Sequence, residues 1–256
     1  MTKPHERITA AIAAATAAGH PALVPYITAG YPEKERFIET LGNIARVGDV
    51  VEVGVPFSVP MADGVTIQRA SHQAIADGVS LRWILQELKD AGELEAPVVL
   101  MSYLNPLLVF GFDALADAAV ESNVSGFIVP DLPLEECDEL QAALESRGVA
   151  LIQLVTPATP EDRMQGLCDA SSGFVYAVTI KGITGGTTAL PADVTSYLDR
   201  VKSHASIPVC AGFGVRTAAQ VQNLSNHADG VVVGSAVVEH LEAGEDPTEF
   251  LQSLRS

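Results

Sequence analysis

A chain of 256 residues, 48% of them hydrophobic, is long enough for one large domain with a sizeable core. Its formal charge of −17 excludes a nucleic-acid or anionic-membrane partner that needs a basic face, and an anionic ligand must be held by local backbone dipoles against a repulsive field. Cys137, Cys168 and Cys210 are widely spaced with no C-x-x-C, and the histidines are scattered, so neither a disulfide framework nor a metal site is expected. No basic segment leading into an apolar core opens the chain, and no apolar run reaches about 18 residues. The expected location is therefore cytoplasmic.

Arg7 to Ala18, rich in alanine at helical spacing, predicts a helix ahead of the first strand. Ala22 to Thr28 reads as strand one, and Glu33 to Val47 as a helix with Phe37, Ile38, Leu41 and Ile44 on one face. Strand two is the β-branched run from Asp49 to Val55, closed by Pro56. Helices follow over Ile67 to Ala76 and Ser80 to Ala91, broken at Gly78. Strands are then predicted over Val98 to Met101, Gly126 to Val129, Ala150 to Val155, Phe174 to Val178, Ile207 to Ala211 and Gly230 to Val233. Between them run helices over Ala114 to Ser122, Glu135 to Arg147, a segment started by Thr159-Pro160-Glu161, Asp193 to Ser203 and Thr217 to Asn226. Short helices from Ser235 to Leu241 and Pro247 to Leu254 complete the chain.

Eight short apolar runs separated by helices, with no linker or low-complexity segment, predict a single α/β domain over residues 1–256, a closed (β/α)8 TIM barrel. An open doubly wound sheet would have fewer strands and an early glycine-rich fingerprint, whereas here the glycine clusters come late. In such a barrel, active sites lie at the C-terminal ends of the strands.

Glu52 sits inside strand two, where a carboxylate is costly unless it is paired, hydrogen-bonded or protonated. Asp63 follows on the loop, just before Gly64. Taken singly, Glu52 fits a buried ion pair and Asp63 fits a turn. Placed together at a strand end, two carboxylates in different surroundings can have their proton affinities driven apart, one becoming an acid and the other a base.

The late glycines have a separate role. Gly212-Phe213-Gly214 follows strand seven, and Gly234-Ser235 opens a short helix after strand eight. Glycine lets backbone approach a ligand closely, and the free N–H groups of a helix start bind an anion, so these loops read as a phosphate cradle. The glycine-rich stretch Lys181 to Thr188 supplies further backbone donors and suits a closing lid.

From about Pro21 onward the chain resembles the α subunit of tryptophan synthase. The marks are Leu23-Val24-Pro25-Tyr26-Ile27-Thr28-Ala29-Gly30, Glu52-Val53-Gly54-Val55-Pro56-Phe57-Ser58 and Ala62-Asp63-Gly64. Further on come Tyr103-Leu104-Asn105-Pro106, Val129-Pro130-Asp131-Leu132-Pro133, Gly182-Ile183-Thr184-Gly185, Gly212-Phe213-Gly214 and Gly234-Ser235. The resemblance implies a lyase of tryptophan biosynthesis that cleaves indole-3-glycerol phosphate to indole and glyceraldehyde 3-phosphate by a retro-aldol reaction. It implies Glu52 as the acid/base, Asp63 as the carboxylate facing the indole N–H, and Thr184 as its partner when the lid shuts. Tyr176 is expected near Glu52; Tyr26, Met101, Ile128, Leu154 and Phe213 match the walls of the indole site, where plain core packing is the other reading. Gly185, Gly214, Gly234 and Ser235 match the phosphate binders. No cofactor is implied in this chain. Pyridoxal phosphate is expected only in a partner β subunit, within an α2β2 complex.

Two departures stand out. Val59 occupies the place of a usual aspartate in Pro-Phe-Ser-Asp-Pro, on the loop that faces the β subunit. Ile180-Lys181 stands where an arginine commonly precedes Gly182. A third, Val65 in place of a frequent proline, is minor. Besides the α-subunit reading, a stand-alone lyase releasing free indole and a non-catalytic barrel that activates a β subunit are the alternatives.

Overall fold

The computed structural model describes residues 3–178, 192–212 and 214–255. Its framework is one parallel sheet whose strands β1 (Ala22–Thr28), β2 (Val51–Gly54), β3 (Val98–Met101) and β4 (Val124–Ile128) neighbour each other in chain order. They continue into β5 (Ala150–Ile152), while β6 (Leu154–Val155), β7 (Val175–Val178), β8 (Val209–Gly212) and β9 (Gly230–Val233) return to β1 from the other side. Only Gln153 separates β5 from β6, so the ring closes through the chain itself and the nine segments make eight staves. The expected fifth strand is thus split. Gln153 N–H bonds to Ser171 Oγ at 3.0 Å while its carbonyl still accepts from Tyr176 N–H at 3.0 Å, so one strand neighbour is exchanged for a side chain.

The strands are apolar runs because both faces are covered. Outward residues such as Val51, Val53, Leu100 and Phe127 pack under the helices; inward ones such as Val24, Val99, Ile152 and Val232 fill the barrel. Helix α1 (Pro4–Ala17) plugs the N-terminal end of the barrel, with fully buried Ile8 and Ile12 in the interior cluster beside Ala22, Ala150 and Phe174. Pro4 at its first turn has no N–H to satisfy, and Glu6 accepts from Lys3 N–H at 2.9 Å. The same end is tied by Arg255, whose guanidinium donates to Asp49 Oδ2 at 2.7 Å and Val47 O at 2.8 Å. Asp49 in turn accepts from Leu23 N–H at 2.7 Å, so this residue, read as the start of strand two, is a brace below it.

Helices α2 (Phe37–Ala45), α3 (Val65–Ala76) and α4 (Leu81–Ala91) follow the early strands much as expected. The segment after β3 differs. It forms a short helix α5 (Leu104–Phe110) before α6 (Phe112–Glu121), where only the second was expected. Pro106 is tolerated at the third position because first-turn N–H groups have no intrahelical acceptor. Asp131 Oδ1, from the loop after β4, caps the new helix through Leu104 N–H at 2.8 Å. Helices α7 (Asp138–Ser146), α8 (Glu161–Ala170), α9 (Ala192–His204) and α10 (Ala218–Leu224) complete the outer ring. After β9 come α11 (Ser235–Glu242) and α12 (Pro247–Ser253). Four strand starts shift slightly: β4 begins two residues earlier, β2 and β8 two residues later, at Val51 and Val209, and β7 one later, at Val175. A register irregularity in β4 opposite Val98/Val99 accounts for the β4 shift, since Ser125 enters there as an extra residue.

Candidate active site

At the C-terminal ends of the strands a cavity of about 200 Å³, as bounded by the described residues, is lined by Glu52, Asp63, Tyr26, Met101, Leu154 and Tyr176. Its rim carries Gly214, Gly234 and Ser235. A wider cleft of about 300 Å³, between Pro32–Arg36 and Asp246–Pro247, holds no strand-end residue, so the smaller cavity is where the chemistry gathers.

Glu52 reaches the cavity because β2 alternates: Val51 and Val53 turn to the helices, and the residue between them turns inward. It is 1% exposed, and its Oε2 has no hydrogen-bond partner among the described residues. Burial, reinforced by the nearby Asp63, pushes its carboxyl up to about 8. Glu52 therefore carries a proton near neutral pH. The ion-pair reading finds no support here, because among the described residues no cation pairs with it.

Asp63 is held differently. Its loop is clasped by Gln68 of α3, whose Nε2 donates to Asp63 O at 2.9 Å. Its carboxylate accepts from Tyr103 Oη–H at 3.3 Å. Burial raises Asp63 to about 6, and the Tyr103 hydrogen bond works against that rise. The two acids are thus set apart, with Glu52 the weaker acid and Asp63 ionised at neutral pH.

Two tyrosines stand beside them. Tyr26 is buried, with its hydroxyl 3.3 Å from Thr28 Oγ1, and Tyr176 contacts Phe174 at a ring separation of 6.1 Å. Burial first, then Asp63 for Tyr26 and Glu52 for Tyr176, raises both phenols, so neither ionises in the physiological range. Their rings, with Met101 and Leu154, give a largely apolar wall suited to a flat aromatic ligand. Ile128 is fully buried in the interior cluster against this wall and does not line the cavity.

The side of the cavity at Gly214, Gly234 and Ser235, expected from the sequence to bind phosphate, presents glycine backbone and a helix start. Gly214 has φ +65°, a left-handed conformation that only glycine adopts without strain, and α11 begins at Ser235. The first N–H groups of α11 have no intrahelical acceptor, and the helix dipole adds positive potential there. Thr184, Gly185 and Phe213, with the whole stretch from Lys181 to Thr188, lie outside the described residues.

Sequence reasoning missed Tyr103 as a partner of Asp63 and missed Ile67, Pro130, Val178 and Val232 on the cavity wall. Tyr103 stands in the quoted Tyr103-Leu104-Asn105-Pro106 run, but nothing local ties it to Asp63.

Among the described residues no cluster of His, Cys, Asp or Glu is arranged to hold a metal, and no helix is long and apolar enough to cross a membrane. The family model for the tryptophan synthase alpha chain matches residues 12–255. The tryptophan synthase alpha chain of Nitratidesulfovibrio vulgaris (strain Hildenborough) is 45% identical over 249 residues, 96% of this chain and 97% of the relative. That of Bacillus cereus (strain ZK / E33L) is 43% identical over 253 residues, 95% of this chain and 96% of the relative. The solved structure of tryptophan synthase subunit alpha from Legionella pneumophila superposes with a TM-score of 0.88 at 32% identity, covering 100% of this chain and 98% of that one. Mycobacterium tuberculosis tryptophan synthase gives 0.88 at 35% identity, covering 97% and 96%. Two acids of unequal strength at the strand ends, Gly214, Gly234 and Ser235 lining the same cavity and a barrel that matches throughout its length lead to one conclusion: the chain belongs to the tryptophan synthase alpha chain family, lyases that cleave indole-3-glycerol phosphate in tryptophan biosynthesis.

Proposed function

We propose that Glu52 and Asp63 carry the retro-aldol cleavage of indole-3-glycerol phosphate in this chain, which acts as one domain. Breaking the bond between indole C3 and the glycerol carbon requires a proton on C3 and the loss of one from the side-chain hydroxyl. Glu52, protonated near neutral pH, donates to C3. The resulting carboxylate takes the hydroxyl proton as the carbon–carbon bond breaks, and indole and the aldehyde leave with Glu52 again protonated. Meanwhile positive charge develops on the indole nitrogen, and ionised Asp63 balances it. The observation that carries this reading is the unpartnered Glu52 Oε2, a buried polar atom left to meet a ligand.

Tyr26, Met101, Leu154 and Tyr176 would hold the indole ring, with Ile128 supporting them from below and Phe213 completing the wall. Gly214, Gly234 and Ser235 would take the phosphate, with Gly185 and Thr184 joining from the loop. The family works with a β subunit, and this chain would form an α2β2 complex in which pyridoxal phosphate sits on the partner. Exposed Val59 and Met61 after β2, with Leu108 and Val109 on α5, support docking at the strand ends. The cytoplasm fits a biosynthetic enzyme of this class. The test is indole release from indole-3-glycerol phosphate, with and without a β subunit. Release in either case supports the reading; no indole in both overturns it.

A further inference from the structure

The loop after β2 is braced from the loop after β3 by one side chain. Tyr103 is 4% exposed and lies two residues past the end of β3. Its hydroxyl accepts from Ala62 N–H at 2.8 Å and donates to Asp63 Oδ2 at 3.3 Å, so one oxygen fixes both the backbone before Asp63 and its carboxylate. The ring is itself held, stacked on Phe57 at 4.7 Å and 18°, at the root of the same loop. Directly after Tyr103, Leu104 N–H bonds to Asp131 at 2.8 Å, which anchors the start of α5 to a third loop. A carboxylate on a loop has rotamer freedom that a strand residue lacks, and a fixed phenol removes it.

We propose that Tyr103 is a positioning residue for the reaction: held by Phe57 and Ala62, it fixes the Asp63 carboxylate toward the indole side of the cavity. This rests on the assignment of Asp63 as the counter-charge. Tyr103 touches Asp63 and not the bond that breaks, so it acts through its neighbour. The other titratable groups facing Asp63 are Glu52 on β2, Tyr26 on β1 and Tyr176 on β7. The phenols stay neutral, which leaves Tyr103 as the group that favours ionised Asp63.

Tyr103→Phe keeps the ring and its stacking and deletes only the hydroxyl. Steady-state cleavage of indole-3-glycerol phosphate across pH 5–9 is then compared with the parent and with Asp63→Asn. A hydrogen bond to the charged form is lost, so the acidic limb of kcat/KM is expected to move up by about one pH unit. kcat is expected to fall about tenfold, with KM changed less than about twofold, as for a misplaced group that acts in the transition state. An unmoved limb and unchanged kcat, with Asp63→Asn inactive, overturn the positioning role and leave Asp63 standing. An active Asp63→Asn overturns both. If Tyr103→Phe does not fold, Phe57→Leu loosens the ring while leaving the hydroxyl; a smaller shift in the same direction supports the proposal, and an unmoved limb overturns it.

Discussion

The hydroxyl of Tyr26 occupies the place where a side chain on Gly54 would begin. A Cβ at Gly54 would stand 2.1 Å from Tyr26 Oη and 2.6 Å from Cζ, closer than any real contact allows. The two residues lie on adjacent strands, with Thr28 opposite Gly54 in the register and Tyr26 opposite Glu52. Gly54 thus lets Tyr26 lean across β2 and wall the cavity immediately beyond Glu52.

Gly54→Ala is therefore expected to push Tyr26 into the cavity. Overpacking of this kind costs about 1–3 kcal/mol, and the displaced ring blocks the ligand. Tyr26→Leu removes the obstructing atoms, so the double variant is expected to recover most of the lost stability. A double-mutant cycle by urea denaturation checks this: additive losses would mean the two residues do not share that space.

Glu52→Gln is expected to keep the fold and lower kcat by about two to four orders of magnitude, because Gln neither gives nor takes the proton. Stability moves the opposite way. Folded Glu52 holds its proton up to about pH 8, whereas an unfolded glutamate releases it near 4.5. Between those values the folded state binds the extra proton, so the parent loses stability as pH rises through that window. The full cost, on the order of a few kcal/mol, applies above pH 8. Replacing Glu52 removes this pH-dependent term, so the gain of the variant over the parent should grow from pH 5 to pH 9. Parallel stability curves for parent and variant would show that Glu52 ionises freely in the fold.

How much of this is legible in the sequence depends on the range of the interactions. Strand two is plain because a strand covered on both faces is a continuous apolar run, and Glu52 stands out as the carboxylate set within it. The Tyr103 bond to Asp63 joins residues 40 apart and leaves no local mark. Helix α5 is hidden because its cap comes from Asp131, outside its own segment. The split at Gln153 is equally invisible, since Ser171 replaces a strand partner only once the barrel has closed. Ile128 reads in the sequence like Met101 and Leu154 and shares the inward face with Met101, its register partner, but it is fully buried among its neighbours and does not reach the cavity surface.

Gly234→Asp is expected to act chiefly on the proposed phosphate end. The nearest atoms to a Cβ at Gly234 are Tyr26 Cβ at 3.8 Å and Ile67 Cδ1 at 3.9 Å, ordinary contacts that leave the fold intact. The new carboxylate at the start of α11 occupies the positive end of the helix and repels an anion. KM for indole-3-glycerol phosphate should rise steeply while circular dichroism stays that of the parent. An unchanged KM would move the phosphate elsewhere.

Val59 governs the last expectation. It is 63% exposed on the loop that Tyr103 braces, and Phe57 on the same loop lines an apolar groove with Pro106, Val109 and Phe110 of α5. A β subunit docked there would cover apolar area with Val59 but find no carboxylate to pair with a cation of its own. While the site is open to water such a pair is worth about 0–1 kcal/mol; once the partner covers it, on the order of 1.5–3 kcal/mol. The chain is accordingly expected to bind a β subunit with weak mutual activation. Val59→Asp is expected to strengthen that activation several-fold while the isolated chain keeps its rate. The reason is that a carboxylate paired at this position would draw the loop, and with it Asp63, into one arrangement. Titration of both forms with a β subunit, following indole-3-glycerol phosphate cleavage, decides the matter. Strong activation of the valine form, unchanged by the aspartate, would route the coupling through other residues, and the α5 surface at Leu108 and Val109 would be the next place to substitute.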